Sequence, residues 1–315
     1  MSDREQLLED LPPEPLPPAL AAGAAARREL IRQSARRSLR RRDLGKKVAF
    51  GLSGLAVAVA VTPLVALAGY TTSRGIHAIG IDFFIHNPTP PGIPGGGILN
   101  AVAGSILIVG IATLLAMPVG IATALFLLER PGKLAAALRL GADVLSGVPS
   151  IAIGIFAYAL IVERQGHFSG WAGAFALAVL MLPIIVRSSE SAMQAVAVDL
   201  REAALALGAR RSRVARSVVL RGAVAGLVTG GLLALARAVG ETAPLLCTSI
   251  GSQLINLHPS APTAAMPLVI YTNATEVYAS AQQVAWGTAL VLLVLVLLLN
   301  VVARRVAAGF DRRTL

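Results

Sequence analysis

The chain has 315 residues, of which 55% are hydrophobic and only 14% charged, with a mean hydropathy of +0.71 and a formal net charge of +11. Soluble domains carry about 25% charged residues, so this composition belongs to a membrane protein. The long apolar runs do not alternate, which excludes a β-barrel and leaves an all-α, polytopic protein. Aromatic residues are too sparse, at 4%, for base-stacking platforms. The lone Cys247 has no partner for an internal disulfide and reads as a small apolar helix residue.

Residues 1–47 read as a cytoplasmic basic arm. Its "LPPEPLPP" stretch (11–18) predicts an extended, disordered segment, followed by the basic run 27–47. No apolar core precedes these charges, so the arm is not a cleavable signal peptide. The first transmembrane helix is expected over 48–70. An external loop follows over 71–97, ending in "HNPTPPGIPGGG", which is too rich in Pro and Gly for a regular element. Further apolar segments lie near 98–127, 140–162, 169–187, 217–246 and 283–303. The core at 98–303 therefore adds five crossings to the first, about six in all, each near the 20 residues a bilayer requires. The stretch 304–315 is a basic tail.

Lys and Arg counts orient these crossings. The arm carries eleven, the loop 129–139 three, the loop 188–216 five and the tail four, whereas the alternate loops carry Arg74, Arg164 and nothing over 247–282. Both termini and the two basic loops are therefore expected in the cytoplasm. This segregation accounts for the net charge, so nucleic acid is not an expected partner; membrane lipid is.

The cytoplasmic stretch "DLREAALALGARRSRVARSVVLRGAVAG" (199–225) is more regular than a connector needs to be. Glu202-Ala203-Ala204 and the residues after them are strong helix formers, and Gly208 can supply a left-handed cap. Arg210, Arg211, Arg213 and Arg216 then open a second helix. This elbow suits docking to a partner, although composition alone favours a solvated connector. A different question is posed by "ARAVGETAPLL" (236–246), where Arg237 and Glu241 fall one turn apart on an otherwise apolar helix. Counted from an entry near 217, Arg237 lies about 20 residues in, which places it in the outer half of the membrane. An isolated charge in hydrocarbon costs about 2.5–3.5 kcal/mol on insertion scales. The arginine must therefore face protein or water, and Glu241 lowers its cost by pairing. The pair can either fix packing or offer a guanidinium to an oxyanion such as phosphate. Arg187, at the inner end of the fourth crossing, is a further candidate for such a path. Gly240 and Pro244 are expected to break the fifth helix beside the pair.

The chain carries no chemistry of its own. Gly45-Lys46-Lys47 and Gly132-Lys133-Leu134 lack the remaining residues of a P-loop. The four histidines show no metal spacing, and no nucleophile elbow occurs. No catalytic residue, metal site or cofactor is assigned.

Glu202-Ala203-Ala204, then three residues, then Gly208 resembles the EAA motif of ABC importer permeases, although Arg221 stands where that pattern has proline. The stretches 82–101, 143–160, 181–190 and 236–246 are similar to the PstA-type permeases of phosphate importers. That resemblance implies the ABC importer type I permease fold, a bacterial cell membrane location and no enzyme activity in the chain. It also implies a PstC-like permease as heterodimer partner, a PstB-like ATPase dimer that binds ATP-Mg, and an external phosphate-binding protein. Glu202, Ala203, Ala204 and Gly208 would couple to the ATPase, while Arg237, Glu241 and Arg187 would line the path. A permease for molybdate, sulfate or phosphonate, or a membrane scaffold or phosphate-sensing component that transports nothing, would share much of this pattern.

Overall fold

The computed structural model describes residues 18–311 apart from Pro91 and Pro94, and the regular structure within them is entirely helical. The chain divides into two compact units, residues 1–67 and 68–315. The packing described below is that of the second unit.

Helix α1 (Pro18–Gly75) begins well inside the expected basic arm. Most of the "LPPEPLPP" stretch lies outside the described residues. The Ala-, Leu- and Arg-rich sequence from residue 19 consists of strong helix formers, and Pro18 sits at the helix start, where its missing N–H costs nothing. The portion able to span a membrane is Ala49–Ala78, longer than the expected 48–70. Near its C-terminal end the Thr72 hydroxyl donates to the Ala68 carbonyl at 2.7 Å, and Tyr70 makes an edge-to-face contact with Trp286.

The loop to the next span contains a short helix, α2 (Ile81–Ile85), and closes on itself through Ile98 N–H to the Phe83 carbonyl at 2.8 Å. Helix α3 (Leu99–Glu129) follows. The expected third crossing is not one helix. Helix α4 (Lys133–Gly147) and helix α5 (Ser150–Gln165) meet at an angle of 104°. The break falls at Val148–Pro149, because proline pushes the residue before it out of the helical region; Val148 has ψ 132°.

Helix α6 (Gly170–Gln194), helix α8 (Arg211–Val239) and helix α11 (Ala279–Asp311) supply the remaining long spans. Among the described residues five helices are thus long and apolar enough to cross a membrane, with α4–α5 as a bent pair. Between α6 and α8 lies α7 (Val198–Ala206); beyond α8 come α9 (Ala243–Thr248) and α10 (Met266–Ala274). The tail expected from 304 continues α11 as helix to Asp311.

The core sits where α3, α6 and α8 meet, around Ile108, Ala112, Leu177, Met181, Ile185 and Ala234. Small residues permit this closeness, as is usual where lipid rather than water surrounds the helices. A Cβ on Gly120 would lie 2.6 Å from Cγ2 of Ile185, and one on Gly226 or Gly230 would overlap Ala192 or Ser188. These contacts set the register. Residues 222, 226 and 230 of α8 face Val196, just beyond α6, and residues 192 and 188 of α6, antiparallel.

Candidate functional site

Helix α8 ends at Val239, and Gly240 N–H closes its last turn onto the Arg237 carbonyl at 3.1 Å. Helix α9 restarts at Ala243 with Pro244 in its first turn, where proline is tolerated. The expected break near Gly240 and Pro244 is present. Pro244 packs on α5, where a Cβ on Gly154 would lie 2.7 Å from its Cα. This break leaves Arg237 on the last turn of α8 and Glu241 in the connection.

Nε of Arg237 lies 3.6 Å from Oε1 of Glu241. The two side chains differ in environment: Arg237 is 58% exposed and Glu241 only 19%. At 3.6 Å the contact is an ion pair without a hydrogen bond, so the guanidinium retains donors for another oxyanion. Continued along the two helices, the glycine contacts bring Arg187 on α6 level with Gly231 on α8, and Arg237 stands six residues further, about 9 Å along the axis.

Arg187 belongs to a different group of charges. Its Nε donates to Oδ1 of Asp143 on α4 at 2.9 Å, and its Nη1 lies 3.7 Å from Oε2 of Glu190 one turn along α6. Glu190 in turn accepts from Nε of Arg139 at 2.7 Å, and Arg139 also donates to the Leu127 carbonyl at 3.2 Å. Two arginines and two carboxylates thus form a neutral quartet that ties α4 to α6. Glu190, 6% exposed, is its buried centre. Asp143, Arg139 and Glu190 were not singled out from sequence. An ionisable residue inside an apolar segment was the available signal, and Glu190 in "MLPIIVRSSE" carried it.

Helix α7 carries the elbow. Asp199 lies in its first turn, where the helix dipole favours a carboxylate. Gly208 has φ +81°, its N–H bonds the Leu205 carbonyl at 2.9 Å, and Ala209 N–H bonds the Ala204 carbonyl at 3.2 Å. This is the two-bond Schellman cap expected from glycine at that position. Glu202 and Ala203 are exposed and Ala204 half-buried. Apolar side chains stand out beside them, Leu200 at 58% and Leu207 at 90% exposure. Arg201 reaches back so that its Nη2 donates to the Met193 carbonyl near the end of α6. The structure therefore holds Glu202, Ala203, Ala204 and Gly208 in one element, apart from both the Arg237–Glu241 pair and the Arg187 quartet.

Comparison with known proteins places this arrangement. Residues 116–315 match the family described as the binding-protein-dependent transport system inner membrane component. The chain is 41% identical over 240 residues to a phosphate transport system permease protein PstA of Yersinia pestis, covering 76% of this chain and 81% of that one. It is 40% identical over 265 residues to the PstA of Pasteurella multocida, covering 84% and 94%. A PstA 1 of Mycobacterium tuberculosis is 35% identical over 279 residues, covering 87% and 91%. Among solved structures, an inward-facing methionine ABC transporter, MetNI, superposes with a TM-score of 0.57 at 20% identity, covering 68% of this chain and 95% of that one. At that identity the likeness concerns the fold.

Proposed function

The chain belongs to the family of binding-protein-dependent transport system inner membrane components, among its PstA-type permeases, and from that premise we propose how it works. It is a multi-pass membrane permease subunit of a phosphate-importing ABC transporter. The observation that carries this reading is the identity of 40% sustained over 84% of the chain with a phosphate permease. The relatives' substrate favours phosphate over molybdate, sulfate or phosphonate, and their role favours transport over a scaffold or sensing component.

In this reading the chain pairs with a PstC-like permease to enclose the path, and both termini lie in the cytoplasm. A PstB-like ATPase dimer binds ATP-Mg and supplies the energy, and an external phosphate-binding protein delivers the substrate. Glu202, Ala203, Ala204 and the Gly208 cap present α7 to the ATPase, with Leu200 and Leu207 as apolar contacts. Because Arg201 fastens α7 to the end of α6, motion of the ATPase reaches α6 directly. Arg237 faces the path. Its exposure is sustainable in a membrane only against water or a partner, and its free donors suit a tetrahedral oxyanion. Glu241 holds the guanidinium when phosphate is absent and competes for it when phosphate arrives. Arg187, already neutralised by Asp143 and Glu190, stands at the inner end of the path and braces α4 against α6.

Radiolabelled phosphate uptake tests this in cells lacking their own importer and complemented with the whole transporter. Uptake by the wild type, lost in Arg237→Ala at unchanged membrane abundance, supports the reading. Uptake of sulfate or molybdate in preference to phosphate would overturn the substrate, and full uptake by Arg237→Ala would remove that residue from the path.

A further inference from the structure

The cytoplasmic ends of α3 and α8 diverge and leave a cavity of about 690 Å³ between them. One wall is apolar and belongs to α3, with Leu125 and Phe126 half-buried. The rim is basic: Arg130 just beyond α3, and Arg211 and Arg216 at the start of α8, all exposed. Glu129 is the one carboxylate among the lining residues, so the charged lining remains net positive. An adjoining cavity of about 400 Å³ shares Ser212 and Arg216 and adds Arg210, Arg213 and Arg221. Arg221 is the residue that replaces the proline of the EAA pattern.

None of these arginines forms an ion pair among the described residues, unlike Arg139, Arg187 and Arg237. A positive-inside bias explains how many basic residues the loop carries. It does not explain their convergence on one groove with an apolar wall, which the packing of α3 against α8 creates. The two halves of the groove call for a ligand with two halves. The apolar wall runs down α3 from its last turn into the hydrocarbon, where an acyl chain would lie. The arginines ring the level at which α3 leaves the membrane, where a phosphate headgroup sits, and guanidinium groups bind phosphate bidentately.

We propose that the groove between α3 and α8 seats a phospholipid with an anionic headgroup from the cytoplasmic leaflet. Free inorganic phosphate would satisfy the arginines but leaves Leu125 and Phe126 without a role. The proposal stands apart from the transport reading, because it requires only that the chain lie in a membrane.

The test is native mass spectrometry of the whole transporter taken from nanodiscs of equimolar phosphatidylcholine and phosphatidylglycerol. The wild type should retain phosphatidylglycerol in preference to phosphatidylcholine. Arg211→Gln combined with Arg216→Gln should reduce that preference about ten-fold. Leu125→Trp, which fills the groove and leaves its charge intact, should reduce it as well. Arg304→Gln with Arg305→Gln removes equal charge elsewhere and should leave the preference unchanged. Retention by the Arg211/Arg216 variant in a transporter of normal melting temperature would overturn the proposal. So would equal loss in the Arg304/Arg305 variant, displacement of the lipid by millimolar inorganic phosphate, or lipid retention that appears only after the ATPase is removed.

Discussion

Arg139 on α4 and Glu190 on α6 meet through a hydrogen bond of 2.7 Å, with the carboxylate 6% exposed and the guanidinium 36%. Glu190 also faces Arg187 at 3.7 Å, so this single buried carboxylate lies between two arginines. Its loss would leave the two cations facing each other at the edge of the core, and removing one partner of a buried pair is costly. Glu190→Ala is expected to destabilise the subunit by about 2 kcal/mol, less than a fully buried pair because both arginines reach solvent. Glu190→Gln, whose amide oxygen can still accept from Arg139, should cost less. Thermal unfolding of the purified complex in detergent would show the ranking, and equal melting temperatures for all three would refute the quartet's structural role.

The α6–α8 contact makes a second prediction. Ala192 and Ser188 occupy the space that a side chain at Gly226 or Gly230 would need. Overpacked sites of this kind cost about 1–3 kcal/mol. Gly226→Val should lower the yield of assembled subunit and its melting temperature. Gly141→Val, at a helical position with open space around the missing Cβ, should be tolerated far better. The comparison separates crowding from the change in helix propensity, which for valine in place of glycine is favourable.

At the Arg237–Glu241 pair, three variants distinguish binding from packing. Arg237→Ala should abolish phosphate uptake with little change in stability, because the side chain is 58% exposed. Arg237→Lys keeps the charge without the planar fork and should retain only a small part of the rate. Glu241→Gln frees the guanidinium from its competitor, so phosphate should leave more slowly and the maximal uptake rate should fall. Initial-rate uptake at saturating phosphate measures all three. A normal rate in Glu241→Gln would argue against competition.

The elbow can be loosened at either end. Gly208 has φ +81°, and a side chain there costs about 1–2 kcal/mol of local strain. Gly208→Val should therefore fray α7, while Arg201→Ala should detach α7 from the Met193 carbonyl. Both are expected to leave the membrane core folded and to uncouple ATP hydrolysis from uptake. The readout is the ratio of phosphate imported to ATP hydrolysed in proteoliposomes. An unchanged ratio in both variants would place coupling outside this elbow.

Several of these features were legible in the sequence because they rest on local chemistry. Apolar runs long enough for a bilayer located most of the spans, and the Gly208 cap followed from the need for a left-handed residue after a helix. The break beyond Val239 followed from Gly240 and Pro244. Other features were misjudged where a neighbouring rule prevailed. A continuous apolar pattern over 140–162 suggested one crossing, yet Pro149 acts on Val148 and turns the chain by 104°. Prolines before residue 18 suggested a disordered arm, although the Ala- and Arg-rich run beyond them is helical.

The sequence by itself determined that this is a helical membrane protein with a helix–glycine–helix elbow and an opposed charge pair, because hydropathy, glycine stereochemistry and i,i+4 spacing act within one segment. Only the tertiary structure decided which charges meet. Arg139 and Asp143 reach Glu190 and Arg187 across more than forty residues of sequence, and the level of Arg237 relative to Arg187 follows from the glycine contacts between α8 and α6. Such relationships arise when separate helices pack, and the pattern along any one helix does not encode them.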